Sequence, residues 1–314
     1  MTRFVLRRIL TALVSLLLAS AVVFGAVLAV PGDPAAVILG MNAAPEALTA
    51  LRSQLGLDVP PLQRYLQWSL GVLRGDMGES LQFQRPVAIL IGDRLAVSLP
   101  LTLAAALLAT LIALPVGIVA ALRRGSLSDP LLILGSQLGA AIPSFWLALL
   151  LILVFSVQLG WFPATGFPGW GENLVGSLRA LVLPTLALAL GQAAVMTRLT
   201  RSAMLDVLAL DFVRTARAKG LSTWSVVGKH ALRNAMVTLI TVLGLSLTNV
   251  FIGAIVVEQV FALPGLGRLA LGAIGNRDYP LVQGVVMLYA SAIILLSLLV
   301  DLSYGILDPR IRYQ

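Results

Sequence analysis

The residue types that carry covalent or metal chemistry are nearly missing from this chain. It holds no cysteine and a single histidine, His230. That excludes thiol nucleophiles, disulfides, iron–sulfur centres and any site built from several imidazoles. No GxxxxGK[ST] loop is present to cradle the phosphates of ATP, and neither HExxH nor GxSxG occurs. No two carboxylates stand at catalytic spacing. Gly265-Leu266-Gly267-Arg268-Leu269-Ala270 has the outward form of a dinucleotide fingerprint. It follows Pro264 instead of a strand and lacks a surrounding βαβ unit, so it reads as a tight turn. No catalytic residue, metal site or cofactor is expected, and the chain is not read as an enzyme. What remains is non-covalent chemistry: polar groups along a path, and surfaces that dock.

The elements that must position such groups are membrane spans. Of 314 residues 59% are apolar and only 11% charged, with a mean hydropathy of +0.96. Soluble domains carry about 25% charged residues, so water-soluble classes are excluded. A helix needs about 20 apolar residues to cross the hydrocarbon core. Six runs qualify, at about 9–30, 95–122, 131–158, 181–204, 237–257 and 283–306. Pro100, Pro115, Pro143 and Pro184 lie in or at the mouth of these runs, where neighbouring helices can satisfy the backbone groups they free. The Arg7-Arg8 pair, an apolar run and Ala19-Ser20-Ala21 imitate a cleaved signal. The run continues to Val30, however, too far for a typical one.

Basic residues set the sides. Fourteen of the 22 Lys and Arg flank one face, among them Arg3, Arg7, Arg8, Arg123, Arg124, Arg310 and Arg312, opposed there only by Asp129, Asp206, Asp211 and Asp308. Both termini are therefore expected in the cytoplasm, with the chain crossing the membrane several times. The chain divides into a first span at 1–30, an external region at 31–94 and a five-span core at 95–314. In the external region Pro45 to Leu57 reads as a short helix, with Leu48, Leu51 and Leu55 on one face and Gly56 at its C-cap. It is expected to pack on the outer ends of the spans. Gly135 and Gly139 form a GxxxG expected to serve packing within the chain. Of the polar residues in the spans, Gln137 and Asn249 are the candidates for a translocation path. Gln192 and Gln283 are also polar, and Glu258 and Asp301 read as anchors at the watery span ends.

The cytoplasmic segment 205–236 reads LDVLALDFVRTARAKGLSTWSVVGKHALRNAM. Asp211 is expected to cap one helix, Gly220 to end it in the left-handed conformation, and Ser222 to cap the next. The segment has more basic residues than orientation needs. Its small residues Thr215, Ala216, Ala218 and Gly220 would admit a partner surface, and Leu210, Phe212, Val213, Leu221 and Trp224 are apolar without evident cause for a solvated loop. A docking element is expected here, in preference to a basic loop that only touches anionic lipid.

At this segment the chain resembles the permease subunits of ABC importers, in particular the first permease of the dipeptide/oligopeptide and nickel uptake systems. The family's EAAxxxG signature, aligned on Gly220, falls on Arg214, Thr215 and Ala216. Only Ala216 and Gly220 match that general form, while FVRTARAKGLS and HALRNA are close to the version of the peptide branch. GDMGES, IPSFWLALLLILVFSVQLGWFPATG, PGLGRL with RDYPLVQG, and VDLSYGILDPRIRY resemble the same branch, so the likeness covers nearly the whole chain.

The resemblance implies an all-α integral membrane protein of the cytoplasmic (inner) membrane of a prokaryote, with six transmembrane helices and the type I ABC importer permease fold. It implies a second homologous permease in a heterodimer, two cytoplasmic ATP-binding subunits and an external substrate-binding protein, all around a lipid bilayer and without nucleic acid. It also implies a coupling helix seated in the ATPase, formed by Arg214, Thr215, Ala216, Arg217, Lys219, Gly220 and Leu221. The implied cargo is di- or oligopeptides. Nickel, glutathione or another small solute on the same fold is the nearer alternative, and an ion-coupled secondary transporter the remoter one.

Overall fold

The structure is a computed structural model that describes residues 2–29, 35–36, 44–54, 56–126 and 128–307. Among these residues the architecture is helical, with no strand beyond an isolated bridge between Glu79 and Pro86. A chain this apolar must satisfy its peptide groups internally wherever lipid surrounds it, and helices do so within one segment. The helices are α1 (Thr2–Leu28), α2 (Pro45–Gln54), α3 (Pro61–Leu73), α4 (Val87–Leu122), α5 (Ser128–Ala141), α6 (Ser144–Gln158), α7 (Leu174–Leu208), α8 (Asp211–Ala218), α9 (Thr223–Val260), α10 (Leu266–Gly275) and α11 (Tyr279–Leu307). Five of them, α1, α4, α7, α9 and α11, are long and apolar enough to span a membrane, and α5 with α6 supplies a sixth if counted as one. The expected spans are thus present, most of them longer than their apolar runs because the helix continues into polar flanks.

The third span departs from expectation. The run 131–158 is not one rod: α5 and α6 are bent by 94° at Ile142–Pro143. Pro143 sits in an extended conformation, φ −61° and ψ 139°, just ahead of α6. Proline has no N–H to continue the ladder and disfavours helical geometry in the residue before it. Pro100 and Pro115 in α4, and Pro184 in α7, stay inside unbroken helices.

The chain divides into two compact units that share helices. One comprises Met1–Arg8, Val97–Gly267 and Leu296–Gln314, the other Ile9–Ala96 and Arg268–Leu295. The first has a core of small and branched residues, with Leu101, Ala105, Leu183, Ala187, Met196 and Val257 all nearly inaccessible. A side chain added at Gly139 would meet the Ala194 Cβ at 2.9 Å, so this half of the GxxxG serves packing of α5 on α7, whereas Gly135 faces open space. Arg8 pairs with Asp301 at 2.9 Å, and Arg201 with Asp129 through two nitrogens.

Glu258 is not an anchor in water. It is fully buried, accepts a hydrogen bond from Ser98 Oγ, and accepts another from Gly267 N at 2.7 Å. Ser98 Oγ in turn accepts from Leu266 N at 2.8 Å. The carboxylate therefore closes the first turn of α10, whose free N–H groups favour a negative charge. This gives PGLGRL its role: any Cβ at Gly265 would collide with the Glu258 carboxylate, and one at Gly267 with Ile255.

In the second unit, GDMGES and RDYPLVQG meet. Asp278 is buried and caps α11 by accepting from Leu281 N at 3.3 Å. Its other oxygen accepts from Ser80 Oγ and from Gln82 N at 3.1 Å. The short helix α2 ends as expected with Gly56 at φ +64°, and Leu48 is half-buried. Leu55 lies outside the described residues, as do Arg310, Arg312 and the last six residues of VDLSYGILDPRIRY.

Candidate functional site

Two places hold the residues singled out by sequence: the basic segment after α7 and a cavity lined by α5, α6, α7 and α9. The basic segment folds as helix, glycine turn, helix. Leu210, extended at φ −73° and ψ 150°, occupies the N-cap of α8, so Asp211 is the first helical residue and not the cap. Its carboxylate is well placed for the dipole there and takes Arg214 at 3.2 Å. The helix ends in a Schellman turn. Gly220 N donates to Arg217 O at 3.0 Å and Leu221 N to Ala216 O at 3.4 Å. Gly220 itself is left-handed at φ +76°, with open space where a Cβ would stand. Backbone conformation, and not crowding, demands glycine. Ser222 then caps the start of α9, accepting from Ser225 N at 3.3 Å.

Burial sorts the seven candidates. Ala216 turns inward with Val213 and packs on Val226 and Leu208, so it supports the turn from behind and offers nothing to a partner. Arg214, Thr215, Arg217, Lys219, Gly220 and Leu221 are exposed together on the outside of the turn. Phe212 and Trp224 are exposed beside them, Trp224 by 74%. Val213 is fully buried, which accounts for one of the segment's apolar residues; Leu210, Phe212, Leu221 and Trp224 remain as unburied apolar surface next to three cations. Such a surface fits a partner with acidic and apolar groups at close range.

A stretch of π-helix, Val226–Ala231, lies within the first turns of α9, just past the cap at Ser222. A second, Ile152–Gln158, ends α6. Extra residues of this kind within a helix commonly mark functional segments. No pattern in the sequence announces either one.

The cavity, of about 190 Å³, is lined by Ser144, Gly191, Gln192 and Asn249 together with apolar neighbours such as Ile142 and Leu188. The bend at Pro143 lies at its wall, with Ala140 and Ile142 lining it before the bend and Ser144 after it. Asn249 is present as expected. Gln137 is exposed on α5 and is not among the lining residues, so the two residues proposed for one path do not share this cavity. Gln192 takes that place: its polarity inside an apolar run was visible in the sequence, but not its alignment with Asn249. Ser144, the first residue after the bend, lines the cavity as well.

The chain matches two models of protein families along nearly its whole length. Residues 113–313 match the binding-protein-dependent transport system inner membrane component, and residues 1–102 its N-terminal membrane component. A Brucella abortus protein named for a peptide transport system permease is 43% identical over 318 residues, covering all of both chains. The glutathione transport system permease protein GsiC of Salmonella typhimurium is 41% identical over 314 residues, again with full coverage of both. The dipeptide transport system permease protein DppB of Escherichia coli K12 is 38% identical over 338 residues with the same coverage. Among solved structures, the methionine ABC transporter MetNI in an inward-facing conformation matches with a TM-score of 0.58 at 20% identity. The match covers 70% of this chain and 96% of that one, a likeness that speaks for the fold, the type I importer permease architecture. Family models and full-length relatives agree, and the chain belongs to the family of binding-protein-dependent transport system inner membrane components.

Proposed function

We propose that this chain is the first permease of an ATP-driven importer of short peptides, with the ATPase on separate subunits. The observation that carries this reading is the exposed turn at Gly220, offered by a family member that has no phosphate-binding loop of its own. In this reading Arg214, Arg217 and Lys219 meet carboxylates of a cytoplasmic ATP-binding subunit, and Phe212, Leu221 and Trp224 fill apolar grooves beside them. Two such subunits, a second permease in a heterodimer and an external substrate-binding protein complete the assembly. Closure of the ATPase pair on ATP draws the coupling turns together and opens the path outward, and hydrolysis resets it. Such coupling works only if ATP and cargo each bind the two states with different affinity.

Peptides are favoured by the names of the 43% and 38% identical relatives and by the chemistry of the cavity. Carboxamides of Gln192 and Asn249 can both donate to and accept from peptide groups, and neither demands a charged cargo. Glutathione, named in the 41% identical relative, is itself a tripeptide and is the second reading. Gln137 remains proposed as a path residue outside this cavity.

The test is co-expression of the chain with its neighbouring genes, purification and reconstitution in liposomes. ATP-dependent uptake of labelled di- or tripeptides, lost when the copurifying ATPase is inactivated, is the expected result. Gradient-driven uptake by the chain alone, indifferent to ATP, would overturn the importer reading.

A further inference from the structure

Helix α3 (Pro61–Leu73) belongs to a stretch that sequence alone places outside the membrane, yet its surface is not that of a helix in water. At 100° per residue, it has three faces about 120° apart. Leu62, Leu66, Leu70 and Leu73 form one, Tyr65, Trp68 and Val72 the second, and Gln63, Gln67 and Gly71 the third. The second face packs on α1. The Tyr65 hydroxyl and Ser20 Oγ share a hydrogen bond of 2.8 Å, and the rings of Tyr65 and Trp68 lie 5.4 and 5.9 Å from that of Phe24. Arg64, at the border of the second and third faces, sets its guanidinium over the same ring at 5.5 Å. The leucine face touches little: its four side chains are between 52% and 83% exposed.

The contact with α1 fixes the depth. At 1.5 Å per residue, Phe24 and Ser20 lie about 6 and 12 Å before Leu28, the end of the helix. That is the depth at which amphipathic helices lie in a bilayer, about 5–10 Å into the boundary between headgroups and chains. On its side turned away from this contact α1 carries exposed apolar residues of its own, Leu18 and Val22, so the same length of the span that holds α3 presents a surface suited to acyl chains. What covers the face is also written in its composition. Protein interfaces are anchored by Trp, Tyr and Arg, with Leu under-represented; here the aromatic residues and Arg64 are spent on α1, and bare leucines remain. We infer that α3 is an in-plane membrane helix. It is sunk in the leaflet that receives the C-terminal end of α1, with its leucines among acyl chains and Gln63 and Gln67 at the headgroups, and Tyr65 and Trp68 clamp it to the span.

The absence of cysteine allows a clean test. Single cysteines placed by Leu66→Cys, Leu70→Cys and Gln67→Cys, with Val22→Cys as the lipid-facing reference, are spin-labelled in the full chain. The protein is held in nanodiscs of phosphatidylethanolamine and phosphatidylglycerol, together with the subunits that copurify. Accessibility to oxygen, which concentrates in acyl chains, is compared with accessibility to a water-soluble nickel chelate. The inference expects labels at 66 and 70 to match Val22, open to oxygen and several-fold less open to nickel, while the label at 67 reverses that ratio. Labels at 66 and 70 open to nickel would place the face in water. Labels immobilised and shielded from both reagents would place a protein there. Either result overturns the inference, and neither depends on what the chain transports.

Discussion

At the scale of single residues, three positions owe their identity to conformation or burial and make separable predictions. Gly220 stands at φ +76° in open space, so the cost of replacing it is conformational, about 1–2 kcal/mol for an L-residue forced left-handed. Asn visits that region more readily than other side chains. Gly220→Asn should therefore keep most uptake, whereas the β-branched Gly220→Val should abolish it while the protein still inserts and purifies. Equal uptake by the two variants would show that the left-handed turn is dispensable. Ser98 and Glu258 form a buried pair on which two backbone N–H groups of α10 depend. Ser98→Ala leaves Leu266 N–H without its partner, a loss of about 1–3 kcal/mol, readable as a lowered melting temperature in detergent. Gly265→Ala should be at least as damaging, because its Cβ would occupy the place of the carboxylate.

At the scale of elements, patterns that repeat along a helix were legible and contacts between distant stretches were not. The six apolar runs and the helix-turn-helix at Gly220 follow from hydropathy and from glycine and serine chemistry, and both are present. The right-angle bend between α5 and α6 escaped, although Pro143 was in view. Proline alone does not mark a break, since Pro115, exposed, and Pro184, buried, both lie in unbroken helices. Glu258 was misplaced for a related reason: its nearness to a span end implied water, but the returning turn of PGLGRL covers it. The meeting of Ser80 with Asp278 across 198 positions has no local signal at all. That pair gives a test of element docking. Asp278→Ala removes the cap of α11, worth about 0.5–2 kcal/mol, together with the acceptor for Ser80 and Gln82. The double variant with Ser80→Ala should be less destabilised than the sum of the singles, since both break one network. Strict additivity in thermal unfolding would mean that the two groups do not act together.

At the scale of the whole molecule, the asymmetry of charge makes the last prediction. Fourteen basic residues flank one side against five acids, Asp301 beside Arg8 included, and eight flank the other where acids balance them. The positive-inside rule then places the turn at Gly220 in the cytoplasm, where ATP is, and the connection that carries Glu172 outside, where a binding protein would arrive. The proposed function needs this orientation: a coupling turn on the outer side could reach no ATPase. Thr223 and Glu172 are both exposed, and a chain without cysteine gives no background. Thr223→Cys should resist a membrane-impermeant maleimide in intact cells and react only after permeabilisation, and Glu172→Cys should react at once. The reverse pattern would leave the fold and family standing, but it would remove the argument that the basic surface around Arg214, Arg217 and Lys219 exists to receive an engine.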